Sequence, residues 1–169
     1  MRSRHCTIVG QQMTLRSKLA ASALALSLAG VAFIQTWEGT EQDAYLDVVQ
    51  VPTICTGSTR GVHVGQHASL QECQERLRLD TEAVGRAMAR CVTQNVTQGQ
   101  YDALLSLGFN IGTGALCRST LVRKLNAGDC LGAGQEFLRW DMAGGKHLRG
   151  LQNRRQAERT EFLKGCTTE

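Results

Sequence analysis

Aromatic residues make up only 5% of this 169-residue chain. A core must therefore come from Leu, Val, Ile and Ala, and a domain of roughly 130 residues buries enough surface to fold without staples. No Cys-x-x-Cys pair and no Cys/His cluster occurs, which argues against a zinc site, and no metal or other cofactor is expected. The basic excess is small, +4 with a pI near 8.8. Dense Lys/Arg runs of the kind that bind nucleic acid are missing, so no nucleic-acid partner is expected. The mild positive balance suits a polyanionic wall or an anionic membrane surface. Internal repeats and low-complexity linkers are absent too.

A secure membrane span is also lacking. Leu19 to Ile34 is a run of sixteen uncharged residues preceded by Arg16 and Lys18, and a basic flank before an apolar stretch is an export signal. Secretory cores run about 7–15 residues and spanning helices need roughly 17–25. Adding Gln35, Thr36 and Trp37 makes a marginal span. Ala, Ser and Gly dominate it, so insertion is weak. Three outcomes stay open: a signal peptide cleaved near Gly30-Val31-Ala32, a stable anchor, or an anchor that inserts, arrests and later leaves the bilayer; the bland alternative is a buried core helix, against which the basic flank argues. Residues 1–12 show no packing pattern, and Met13-Thr14-Leu15-Arg16 opens like a natural start. The expected organisation is a basic extension over 1–18, the apolar segment over 19–36 and a folded domain over 37–169.

Seven cysteines, Cys6, Cys55, Cys73, Cys91, Cys117, Cys130 and Cys166, fit an oxidising compartment with one thiol left over. The expected pair is Cys55 with Cys73.

Gly39 reads as a helix stop. Val48-Val49, Val51, Ile54 and Val62, punctuated by Gly57, Gly61 and Gly65, read as a hairpin or three-stranded sheet. Helices follow. Ser69 with Glu72 and Thr97 with Gln100 form capping boxes. Leu70, Cys73, Leu77, Val84 and Met88 share one helical face, and Tyr101, Leu104, Leu105 and Phe109 another. Ser119 caps a short helix ending near Gly128, and Asp129 caps the next, with Phe137 and Trp140 on its buried side. Gly144-Gly145 breaks the chain, and a last helix spans roughly 151–163. A small β region followed by helices is an α+β fold.

The chemistry-bearing residues are Glu38, Asp47 and Thr53, in Trp37-Glu38-Gly39, Ala44-Tyr45-Leu46-Asp47 and Pro52-Thr53-Ile54. Two carboxylates nine positions apart, with a hydroxyl six further on, are the groups that glycosidic cleavage needs. One carboxylic acid protonates the leaving oxygen, and a carboxylate steers water or stabilises charge on the sugar.

These blocks resemble the phage-type lysozymes of glycoside hydrolase family 24. Ala103-Leu104-Leu105-Ser106-Leu107-Gly108-Phe109-Asn110-Ile111-Gly112, Ser119-Thr120-Leu121 and Gly144-Gly145-Lys146 through Arg154-Arg155 and Glu158-Arg159 extend the resemblance over about residues 37–164. With the apolar segment added, the chain is similar to signal-arrest-release endolysins of tailed phages and prophages. The resemblance implies a lysozyme-like fold, mostly helical, with a small β-sheet lobe beside the cleft and an N-terminal apolar helix. It implies a monomeric muramidase that hydrolyses the β-1,4 bond between N-acetylmuramic acid and N-acetylglucosamine, with inversion. It also implies tethering to the host inner membrane, then release to the periplasm. The turn after Thr53 departs from the family. Many members read Thr-Ile-Gly-Tyr-Gly-His-Thr there, whereas this chain has Thr53-Ile54-Cys55-Thr56-Gly57-Ser58-Thr59, losing a His that can make an ion pair.

On this reading Glu38 is the general acid, sheltered beside Trp37. Asp47 stays ionised and Thr53 holds the water. Tyr45 and Arg154 are candidate substrate-binding residues. Arg154 is also expected close to Glu38, orienting its carboxylate. His5, His63, His67 and His147 form no cluster and carry no role. Ile34 and Glu38 are four positions apart, so an inserted segment pins the acid at the lipid surface. Residues 19–37 hold no Cys, which favours refolding over disulfide exchange as the switch. The alternative is a non-catalytic peptidoglycan-binding or membrane-anchored regulatory homologue.

Overall fold

The computed structural model describes residues 19–47 and 50–166. His5, Cys6, Met13, Arg16, Lys18 and the Val48-Val49 pair lie outside the described residues. Seven α-helices and two small hairpins fill the described chain: α1 (Leu28–Glu38), β1 (Glu41–Leu46), β2 (Pro52–Cys55), α2 (Leu70–Met88), α3 (Gln98–Ile111), α4 (Thr113–Arg118), α5 (Thr120–Asn126), α6 (Cys130–Glu136), β3 (Met142–Ala143), β4 (Lys146–His147) and α7 (Arg149–Leu163).

The apolar run is not one continuous helix. A single 3-10 turn over Ala21–Ala23 leads to an extended stretch, and Ser27 then caps α1 by accepting from Gly30 N at 3.0 Å. Among the described residues no helix is long and apolar enough to cross a membrane. Instead the run enters the main core. Ala21, Val31 and Ile34 are buried there with Leu77, Leu104, Leu107, Phe137 and Phe162, and α1 crosses positions 36 and 37 without a break.

Helix α3 is the central element, packed against α1, α2, α4 and α7. Every residue from Gln100 to Gly108 is buried, so its apolar surface is not the single face that periodicity predicted. A helix surrounded on all sides is buried all round, and its polar members Gln100, Asp102 and Ser106 must find partners inside the protein.

Both capping boxes form as expected, at Ser69/Glu72 and Thr97/Gln100. Leu70 is a correction: it is 58% exposed, because it stands in the first turn of α2, beyond the packed stretch that begins at Cys73. Trp140 is only half-buried. Gly144-Gly145 is the turn of the second hairpin rather than a break, with Met142 opposite His147 and Ala143 opposite Lys146, and α7 begins two residues earlier than its apolar pattern implied.

The first sheet has two strands, with Tyr45 opposite Thr53 and Leu46 opposite Pro52. Beneath it Ile54, Cys55, Val62, Ala68 and Cys73 make a second, smaller core. Cys55 pairs with Cys73, Cys91 with Cys117, and Cys130 with Cys166. Cys55 has φ of 60°, in the left-handed region that costs an ordinary L-residue roughly 1–2 kcal/mol. It occupies the position where the resembling sequences carry Gly. Ile54 and Ser58 exchange backbone hydrogen bonds of 2.9 and 3.0 Å around it, and the disulfide to α2 holds it from the side. Ser58, in place of the family's His, donates its hydroxyl to Asp80 on α2, so a hydroxyl–carboxylate bond ties sheet to helix where an ion pair was in question.

Candidate active site

Glu38 is the last residue of α1. Gly39 follows with φ of 76°, and its N–H closes the helix onto Gln35 O at 3.0 Å. Glycine adopts this φ without the steric penalty of a Cβ, so the chain turns sharply into β1 and leaves Glu38 at the junction of helix and sheet. Trp37 turns its ring onto Phe33, centroids 6.3 Å apart in an edge arrangement. Glu38 reaches the other way: its Oε1 accepts from Arg154 Nη1 at 2.6 Å.

Arg154 is 3% exposed and its donors are committed. Nε lies 3.1 Å from Glu158 Oε1, and Nη2 is 3.3 Å from Ser106 O and 3.4 Å from Ser106 Oγ. Glu158 is enclosed completely and also accepts from Ser106 Oγ at 2.7 Å. Arg155, equally enclosed, has Nε 3.0 Å from Glu158 Oε2, and donates through Nη2 to Glu158 Oε1 and Asn110 Oδ1, both at 3.1 Å. Burial pushes the Glu158 carboxyl up and pulls the Arg155 guanidinium down to about 10. At neutral pH the guanidinium therefore keeps its charge and faces the carboxyl. Two guanidiniums and two carboxyl groups thus share one buried chain that ends at Glu38. Sequence reasoning singled out Arg154 but missed Glu158 and Ser106 as its supports, and Asn110 as a partner of Arg155. A signal existed, since Arg154, Arg155 and Glu158 stand at i, i+1 and i+4, which places the carboxylate one turn from both cations.

Asp47 follows β1 directly. Its Oδ1 accepts from Val51 N at 2.8 Å, its own N–H donates to Val51 O at 3.0 Å, and its carbonyl accepts from Gln50 N at 3.0 Å. Thr53 is 4% exposed, and its Oγ1 donates to Val51 O at 3.0 Å. The backbone of one residue, Val51, therefore holds both side chains, Asp47 through its N–H and Thr53 through its C=O. A hydroxyl that donates inward keeps its oxygen lone pairs as acceptors. Tyr45, directly opposite Thr53 and 42% exposed, shares its face of the hairpin.

Arg154 is not placed to touch a ligand directly: it is buried behind Glu38, because α7 presents it to α3 rather than to solvent. His67 pairs with Asp43 and His147 with Asp141, at 2.7 and 2.8 Å; both imidazoles are exposed, while Asp141 is buried. Among the described residues no group of three or more His, Cys, Asp or Glu converges as metal ligands would.

A family model for phage lysozyme matches residues 35–158. The chain is 37% identical over 129 residues to a SAR-endolysin of Enterobacteria phage P21, covering 76% of this chain and 78% of that protein. It is 38% identical over 143 residues to an endolysin of Bacillus phage B103, covering 83% of this chain and 54% of the relative, so it spans about half of that protein's length. Among solved structures, the crystal structure of a P22 lysozyme mutant is similar with a TM-score of 0.79 and 35% identity, covering 83% of this chain and 99% of that one. The chain belongs to the phage lysozyme family.

Proposed function

We propose that this phage-type lysozyme hydrolyses the β-1,4 bond between N-acetylmuramic acid and N-acetylglucosamine in peptidoglycan, lysing the host cell. Glu38 donates its proton to the leaving glycosidic oxygen. With Oε1 held by Arg154, Oε2 is the atom that carries the proton. Asp47 takes a proton from the attacking water, and Thr53 Oγ1 accepts the water's other hydrogen, leaving an oxygen lone pair aimed at the anomeric carbon. Attack from the face opposite the acid inverts the configuration. Tyr45 offers an exposed ring for a sugar to pack on, and Arg154 positions Glu38.

The observation that carries this reading is the presence of one fixed carboxyl at the end of α1 and of a hairpin whose Asp47 and Thr53 are both held by the backbone of Val51. The apolar segment first carries the domain across the inner membrane and tethers it there, then leaves the bilayer. Its weak hydrophobicity and the name of the P21 relative support that step.

The test is turnover of purified peptidoglycan. Glu38→Gln and Asp47→Asn should each lower it by at least about 10²–10⁴-fold, the share expected of positioned acid–base groups, with the fold retained by circular dichroism. Fresh product should show the inverted anomer by NMR. Full activity in either variant rules out the assignment. A wild-type protein that binds walls without releasing reducing ends would instead be the non-catalytic homologue.

A further inference from the structure

The apolar run contains few polar atoms, and those of Ser27 are read by one buried carboxylate. Asp102, on α3 and 6% exposed, accepts from Ser27 N through Oδ1 at 3.2 Å and from Ser27 Oγ through Oδ2 at 2.5 Å. Gln98 Nε2 donates to the same Oδ1 at 2.8 Å, and to Ala25 O at 2.8 Å. These donors are neutral. Burial pushes the Asp102 carboxyl up, and the bonds from Ser27 and Gln98 oppose that push.

Gly30 adds a steric condition. A Cβ at that position would stand 2.8 Å from Asp102 Cγ, 2.9 Å from Oδ1 and 2.5 Å from Leu26 Cδ1. Any side chain larger than hydrogen must therefore displace the Asp102 carboxylate and the Leu26 side chain from these positions. Further upstream, Leu19 and Val96 exchange backbone hydrogen bonds of 2.8 Å. Three successive contacts thus lay residues 19–27 along the start of α3.

We propose that Asp102 is the docking receptor for the N-terminal segment and a positioning residue for Glu38. Helix α1 is about 16 Å long and is held at both ends, by Asp102 through Ser27 and by Arg154 through Glu38. A rigid rod fixed at its start delivers its last residue to one place. Ser27 and Gly30 therefore have two duties that coincide: they keep the run weakly hydrophobic, and they are the shapes the domain recognises once the run is in water. An Asp102 without Ser27 loses two donors at once, so the docked state is selected by a polar contact as well as by apolar burial. This proposal rests on the reading of Glu38 as the acid.

The experiment uses the full chain in aqueous buffer, as wild type, Asp102→Ala, Ser27→Ala, Ser27→Thr, the double variant Ser27→Ala/Asp102→Ala, and Glu38→Gln. Amide hydrogen exchange is followed by peptide, and peptidoglycan turnover is resolved into kcat and KM. Asp102→Ala should speed exchange across residues 28–38 by about tenfold or more, leaving α2 and the β1–β2 hairpin protected. It should also lower kcat by about tenfold or more with KM little changed. Ser27→Thr should restore protection and kcat, and the double variant should be no worse than Asp102→Ala. Unchanged exchange in α1, unchanged kcat, or a uniform loosening of the whole domain in Asp102→Ala would each overturn the proposal. Glu38→Gln should be inactive with the start of α1 still protected, since Ser27 and Asp102 are untouched. If it is active, the acid assignment fails while the exchange data still judge the docking role.

Discussion

Arg154 Nη1 lies 2.6 Å from Glu38 Oε1, joining residues 116 positions apart. The contact has one geometry, because Glu158 and Ser106 occupy the remaining edge of the guanidinium. Lysine carries the same charge but not the planar fork that reaches three partners together. Arg154→Lys should therefore fold, lose on the order of 10²-fold in kcat through misplacement of the acid, and keep KM. Arg154→Ala leaves Glu158 less compensated in a dry site and should cost about 3–5 kcal/mol of stability as well. Chemical denaturation alongside steady-state kinetics separates the two effects.

Thr53 gives a second comparison. Thr53→Val keeps shape and removes Oγ1, whose bond to Val51 O is worth about 0.5–1.5 kcal/mol. Its unfolding temperature should fall by only a few degrees, while turnover drops by about tenfold or more because the water loses an acceptor. Thr53→Ser should recover most of the rate. If Thr53→Val turns over like wild type, Thr53 is only a strand residue.

Cys55 combines a disulfide with an unfavourable backbone. Cys55→Ser/Cys73→Ser should cost about 2–4 kcal/mol. Cys55→Gly/Cys73→Ser should cost about 1 kcal/mol less, since glycine accepts φ of 60° without a Cβ clash. Equal midpoints in urea for the two variants would show that the turn relaxes on its own.

Glu136 sets a pH dependence. The hydrogen bond from Lys124, at 2.7 Å, holds its carboxyl below the ordinary 4.5, with Arg139 assisting. The folded value is the lower one, so this contribution is complete above 4.5 and is lost as pH falls through the folded value. Glu136→Gln should melt below wild type at pH 7, by about 2–4 °C for each kcal/mol removed. The difference should close as pH drops below 4.5, which scanning calorimetry across pH 3–7 reads directly.

Local chemistry was the legible part of this chain. Ser69 with Glu72 and Thr97 with Gln100 need only i to i+3 contacts, and Gly39 needs only its own φ, so each could be read in place. Glu38, Asp47 and Thr53 stood out by residue type, spacing and flanking motif. What escaped were the groups whose partners are far along the chain. Asp102 meets Ser27 across 75 positions and Ser106 meets Glu158 across 52, and no periodicity encodes either. Val51 escaped for another reason: its contribution is its backbone N–H and C=O, which any residue but proline supplies. The second hairpin left a trace in Gly144-Gly145, but strands of two residues are too short to show alternation.

The six described cysteines form three bonds, each between immediate neighbours in cysteine order, with separations of 18, 26 and 36 residues. No loop encloses or interleaves with another. A chain that meets an oxidant progressively can therefore close each ring in the order its cysteines arrive, with no reshuffling required among these six.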